Sequence, residues 1–281
     1  MALTAKELVK KSSGIYALPE LNIKLKQKLE DPASTNQQIA DIVQLDAGLS
    51  ASLLKIANSA FYGFPSTISS ISQAISIIGR IELADLVLGK SVIQIFSNTQ
   101  IDKDMLEKHW KHSLLCGLTA RLLTKSMANP EQSADSMFVA GLLHDIGKLV
   151  IWQDLPEKSQ AIFDQFDPKI PNHAFQLEKA ALGFEHAETG SELLKSWKLP
   201  QLLIESTHFH HCPEEAPQFK QASQLVSLAN QLSNQWFSTE MTDEGDHQLL
   251  LSKLGLTKEQ VDTALVLAND QLVEMSALFL A

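Results

Sequence analysis

Residues 138–152 read FVAGLLHDIGKLVIW. Apolar residues dominate this run, yet its centre holds His144, Asp145 and Lys148. So greasy a segment belongs in a core, where a carboxylate or ammonium is costly unless it is paired or ligates a cation. Two explanations fit: a metal site, or a polar network that only holds the fold together. Neighbours on a helix point about 100° apart, so His144 and Asp145 share one cation if it sits between their directions; alternatively Asp145 bridges two. Neutral imidazole with carboxylate suits Fe, Mn, Zn and similar ions. Gly141 and Gly147 lie three residues to each side of His144. Small residues let other helices approach closely, as a site assembled from several helices requires. Lys148, one turn after His144, is placed to meet a phosphate as a point charge.

The rest of the chain supports a helical reading. It has 281 residues, 44% of them hydrophobic and only 6% aromatic. Plentiful Leu, Ile and Ala favour helices over a sandwich or barrel. The formal net charge of −10 repels phosphate backbones. Lys6, Lys10 and Lys11 make only a small basic group, so nucleic acid is not expected as a partner. The two cysteines, Cys116 and Cys212, show no CxxC spacing, as expected of a reduced, cytoplasmic protein. The start, MALTAKELVKK, is too polar for a signal peptide. No apolar run approaches the ~20 residues of a membrane span.

Three segments are expected: a helical bundle over 1–100, a second helical part over 101–238 and a helical extension over 239–281. In the first, Thr35 and Gln38 have capping-box spacing. Asp46 precedes an apolar stripe ending at Gly63 and Pro65, a helix begins near Ser70, and another covers about 81–97. Asn58 and Ser59 are the distinctive polar pair there, read as making local hydrogen bonds. The second part is expected to hold helices at 104–128, 133–151, 156–166, 173–182, 186–196, 200–208 and 217–237. The tail reads as a loop, TDEGDHQ, followed by helical patterns.

The second part also carries eight of the nine histidines. His112 lies mid-helix in WKHSLLCG, His186 opens a helix in GFEHAETG, and His210 and His211 stand together in THFHHCPEE. These fall on separate segments that can converge on His144 and Asp145. His109 and His208 are read as surface groups, and His173 as a helix-start residue.

In order and kind, these segments resemble the HD superfamily of metal-dependent phosphohydrolases, and within it the HDOD branch, the HD-related output domain. The resemblance covers nearly all of residues 15–235. It is carried by LPEL at 18–21, LLKIANSAFYG at 53–63, AISIIG at 74–79, WKHS, GLLHDIGK, LGFEHAETG, SWKLP at 196–200 and the His210–His211 pair. It implies an all-α protein, an N-terminal bundle packed on an HD-type helical domain. It also implies a metal ligand set of His112, His144, Asp145, His186, His210 and His211, holding a divalent Fe, Mn, Ni, Zn or Mg ion.

The related HD-GYP phosphodiesterases place a glutamate one turn before the first histidine and end their ligand series on an aspartate. Here those positions are Lys108 and Asn230, and the GYP loop is replaced by CPEEAPQF. Asp145 is thereby the only anion in the matched set, too little charge for a full multinuclear centre; one ion remains feasible. The resemblance therefore implies a signalling output protein with a degenerate site and a protein partner. The alternative is a hydrolase of nucleotide or cyclic dinucleotide phosphodiesters. In that case Asp145 is ligand and base, and Lys148, with Arg121, stabilises the phosphate.

Overall fold

The computed structural model describes residues 3–167, 170, 173–237 and 244–280. Among these there is no strand, and the protein is all-α. The chain opens with α1 (Ala5–Ser12), then α2 (Glu20–Glu30), α3 (Asn36–Val43), α4 (Ala47–Ala57), α5 (Ile71–Ile78) and α6 (Arg80–Phe96). There follow α7 (Lys103–Ser126), α8 (Ala134–Leu143), α9 (Ile146–Asp154), α10 (Pro156–Phe163), α11 (His173–Leu182), α12 (His186–Ser196) and α13 (Gln201–Phe209). A single 3-10 turn, Pro213–Glu215, leads to α14 (Lys220–Phe237), α15 (Glu244–Leu254) and α16 (Lys258–Phe279). Among the described residues no helix is long and apolar enough to cross a membrane.

Packing divides the chain into two compact units. One is Ala17–Asn98 with Asn269–Ala281; the other is Met1–Tyr16 with Thr99–Ala268. The sequence reading drew its limits at 100 and 238. In space the first helix joins the histidine-bearing part, and α16 contributes to both units.

In the smaller unit the expected capping box and helix starts form. Thr35 and Gln38 close a reciprocal capping box on α3, while Asp46 and Ser70 accept from the first turns of α4 and α5. Ile39, Val43, Leu53, Ile56, Ile71, Ile75, Val87 and Phe96 are all buried, which places the apolar stripes of four helices in one core. Asn58 is a local clamp: its amide donates to Leu54 and Ile68 carbonyls at 2.7 and 2.8 Å and accepts from Ile68 N–H at 2.8 Å. Ser59 donates to the Ile56 carbonyl at 2.6 Å.

Lys90, buried on α6, donates to the Leu278 and Phe279 carbonyls, each at 3.0 Å. It thus satisfies acceptors that the end of α16 leaves without intrahelical partners. Lys90→Met is expected to destabilise this contact by about 2 kcal/mol, the size of a hydrogen bond to a charged group. Faster amide exchange confined to residues near 270–280 would be the readout.

In the larger unit, α1 packs on α9 and α12. Asp154 accepts from the Ser12 and Tyr16 hydroxyls, and the Trp197 indole donates to the Tyr16 carbonyl at 2.6 Å. Helices α11 and α12 coincide with the expected 173–182 and 186–196. The tail differs from its sequence reading: α15 begins at Glu244, inside the expected loop, whose first two residues lie outside the described residues.

The helix expected over 133–151 is in fact two, α8 and α9, broken at His144–Asp145. Asp145 there has φ −100° and ψ 10°, between the helical and extended basins. On an unbroken helix the two side chains diverge. The break turns them together, and His144 Nε2 comes 3.3 Å from Asp145 Oδ2.

Candidate metal centre

Two close helix crossings build the site. Gly117 on α7 and Gly141 on α8 touch: a Cβ on Gly141 would lie 2.7 Å from the Gly117 Cα. Gly147 on α9 packs against the backbone of α12, where a Cβ would run into the His186 carbonyl. The first contact sets His112 beside His144, and the second sets His186 beside Asp145. Helix α13 ends at Phe209, so His210 and His211 follow directly from its last turn.

Asp145 is the hub. Its Oδ1 lies 3.2 Å from His186 Nε2 and 3.6 Å from His210 Nε2. Its Oδ2 lies 3.3 Å from His144 Nε2, 3.7 Å from His112 Nε2 and 2.5 Å from Lys148 Nζ. His211 Nε2 is 2.9 Å from His186 Nε2. All six residues read from the sequence as metal ligands thus come together, with Lys148 among them.

The remaining ring nitrogens fix the tautomers. His144 Nδ1–H donates to the Gly141 carbonyl and His210 Nδ1–H to the Thr207 carbonyl, each at 2.7 Å. His186 Nδ1–H donates to Glu178 Oε2 at 2.6 Å. That leaves each Nε2 as the atom that turns toward Asp145, with a lone pair once it carries no proton. Electron-rich atoms facing one another at this range require positive charge between them, as protons or as a cation. The Nε2 atoms of His112, His144 and His210, with Asp145 Oδ1, are buried and lack a hydrogen-bond partner. Buried polar atoms are nearly always satisfied, so four orphans clustered around Asp145 fit the coordination of a cation. His112, His144 and Asp145 form one group that could hold a metal ion, and His186, His210 and His211 another, each with ligand atoms within 4.8 Å of one another.

The electrostatics agree. Burial pushes the Asp145 carboxyl up, but His144 and Lys148 override it and hold the group well below the usual carboxylate range. Burial pushes His144 down, and Asp145 reverses this to well above the ordinary histidine value. His186 is likewise pushed down by burial and drawn up by Glu178 to about 9. His112 goes the other way: burial outweighs Asp145 and takes it down to about 3. His210 and His211 are held well below their usual value by burial and by neighbouring imidazoles. His112, His210 and His211 are therefore neutral, the form that ligates metal, whereas His144 and His186 are held protonated and must release a proton before they ligate an ion.

Sequence reasoning did not find Glu178, which is 3% exposed on α11 and grips both the His186 ring and its backbone N–H, the latter at 2.7 Å. No periodicity links it to His186 eight residues on. A carboxylate on a ligand histidine fixes the ring and raises its basicity. Glu178→Gln is expected to weaken metal binding about 10–100-fold, measured by competition with a chromophoric chelator.

His109, read as a surface group, is only 6% exposed and packs edge-on to Trp110 and Trp152. Its place three residues before His112, on the same helix face, was the available signal. His208 is half-buried with Nδ1 2.9 Å from the Ser191 hydroxyl, and His173 opens α11 as expected. Arg121 is buried on α7 and pairs with Asp135 at 2.7 Å; it is not among the residues lining the cavity at the cluster. Lys108 does line that cavity, and Asn230 lies close enough to His112 to favour its protonated form slightly.

The family model of the HDOD domain matches residues 15–213, well over half of the chain. The chain belongs to the HDOD family. This HDOD protein is 27% identical over 258 residues to an uncharacterised protein of Treponema pallidum (strain Nichols), covering 91% of the chain and 49% of the relative. It thus spans about half the length of that curated relative. Among solved structures, it matches a protein of Shewanella amazonensis provisionally named a phosphohydrolase, at TM-score 0.76 and 22% identity, over 97% of both chains. It matches an HDOD domain protein of unknown function from Geobacter sulfurreducens at TM-score 0.73 and 23% identity, over 99% of both. A Marinobacter aquaeolei protein, provisionally named a signal transduction protein, matches at TM-score 0.78 and 21% identity, over 97% of this chain and 61% of that one. At these identities the likeness shows a shared fold.

Proposed function

We propose that this HDOD protein is a signalling output module whose HD pocket holds one divalent ion and whose product is a protein contact rather than a reaction. The observation that carries the metal is the convergence of orphaned buried atoms from His112, His144, His210 and Asp145. His186 and His211 complete the set, drawn from Fe, Mn, Ni, Zn and Mg. One ion rather than several follows from charge. Asp145 is the carboxylate that faces the imidazoles, Glu178 is engaged by His186, and Lys148 adds a cation. A second divalent ion would have to draw Glu178 and Glu185 from the hydrogen bonds they make to His186 and to the first turn of α12 to offset repulsion from the first. The signalling name carried by the Marinobacter relative supports a protein partner of that kind.

A second reading, hydrolysis of a phosphodiester, is favoured by one feature: a cavity of about 480 Å³ reaches Asp145 and is lined by Lys108, Lys111 and Lys148. A bound ion would acidify water and polarise a phosphoryl oxygen. Asp145 would orient the ion, and Lys148 would meet the phosphate as a point charge.

Metal analysis of untagged protein, followed by turnover of a generic phosphodiester with Mn, Fe, Ni, Zn or Mg, separates the two. The output-module reading expects bound ion and no turnover; turnover that disappears in Asp145→Ala would replace it with the hydrolase. Chelation is expected to lower stability, since an ion at about 100 times its Kd adds roughly 2.7 kcal/mol. A thermal melt with and without chelator checks this.

A further inference from the structure

We infer that the cavity beside the histidine cluster takes an anion with an apolar body, a medium-chain acyl carboxylate being the simplest such ligand. The body's place rests on the cavity alone; only the placing of its head at the cluster rests on the metal reading above. The cavity's 480 Å³ falls within the range of small-molecule sites. One end is His112, Asp145 and Lys148; the walls away from it are Met105, Ile151, Trp152, Ile162, Phe163 and Phe166. Phe163 and Phe166 are 38% and 43% exposed, apolar rings at a mouth that a ligand would cover.

Those walls offer little with which to read a nucleobase. The Ser159 hydroxyl donates to the Ile151 and Leu155 carbonyls, at 3.2 and 3.0 Å. The Asn234 amide donates to Asn230. Away from the cluster, among the described residues lining the cavity, the buried polar atom without a partner is His109 Nε2. A site that recognises a base edge presents several converging donors and acceptors, because an unmatched one is costly. One nitrogen among aromatic and aliphatic groups suits an acyl chain or plain ring instead. Of the three lysines lining the cavity, Lys148 pairs with Asp145 and Lys111 with Glu107, and Lys108 has no ion pair among the described residues, which leaves it as the cation placed to meet an anion.

The test uses the full chain, loaded with Mn²⁺ or treated with chelator, with metal content measured in each sample. It is titrated with anilinonaphthalene sulfonate, an aromatic anion that fluoresces in apolar surroundings, and competed with decanoate, adenosine monophosphate or inorganic phosphate. Decanoate is expected to displace the probe at about tenfold lower concentration than the nucleotide, and phosphate not to displace it. Phe163→Ala should weaken the probe about tenfold, the loss of one aromatic contact, and Ala174→Trp, filling the cavity from a half-buried position, should abolish binding. Both variants are checked for native circular dichroism. Displacement by the nucleotide as readily as by decanoate, or a probe indifferent to both variants, overturns the inference. Metal-loaded protein that binds no probe does so as well and leaves the metal reading standing. Probe and decanoate binding that survives in protein unable to hold any ion sinks the metal reading and keeps the apolar pocket.

Discussion

Asp145→Asn is expected to strip the protein of its ion, with metal affinity falling by more than about 100-fold, since even outer-shell partners of a metal site are worth 10–100-fold. The change keeps the shape of the side chain and removes its charge. Asp145 is 1% exposed, and four imidazole Nε2 atoms and Lys148 Nζ face it at 2.5–3.7 Å. Without the carboxylate, an ion would sit among neutral imidazoles with an ammonium nearby and nothing to balance it. Equilibrium dialysis followed by elemental analysis of wild type and variant gives the answer directly. Undiminished binding in the variant would mean that the histidines alone set the affinity and that Asp145 belongs to a structural network.

Gly147→Ala should be strongly destabilising. The added Cβ would run into the His186 carbonyl and lie 2.5 Å from the Gly190 nitrogen. Both obstacles are backbone, so no rotamer change relieves them, and α9 and α12 must move apart. Overpacking of this kind is expected to destabilise by about 3 kcal/mol, or a fall in Tm of roughly 6–12 °C for a protein of this size. His186 rides on α12 and faces Asp145 just before α9, so metal affinity should fall with stability. Gly14→Ala is the control: its Cβ would meet nothing within 4 Å, and its melt should match wild type within about 0.5 kcal/mol. A Gly147→Ala protein that melts and binds metal like wild type would show that the two helices have slack at this crossing.

Much of this was legible in the residues because it is local. The capping box at Thr35 and Gln38, the helix starts after Asp46 and near Ser70 and the limits of α11 and α12 follow from interactions within a few positions along the chain. The continuous helix expected over 133–151 failed for a non-local reason. Its apolar pattern runs unbroken through 144–145, and the turn exists because two polar side chains must face one interior point formed by α7, α12 and the end of α13. His109 was misjudged because exposure depends on Trp110 and Trp152, the latter brought across from another helix. Glu178 was missed because its partner is the His186 ring, on the next helix.

By itself, then, the order of residues determined the helical class, most helix ends, the HDOD resemblance and the six side chains proposed as ligands. Those depend on spacing and residue type, which a linear pattern records. Only the tertiary structure decided that the six come together, that four of the imidazoles turn Nε2 toward Asp145, that Glu178 steadies His186 and that an apolar cavity opens beside them. Direction and distance between helices arise from backbone contacts such as Gly147 against His186, and contact across such a separation leaves no period in the sequence.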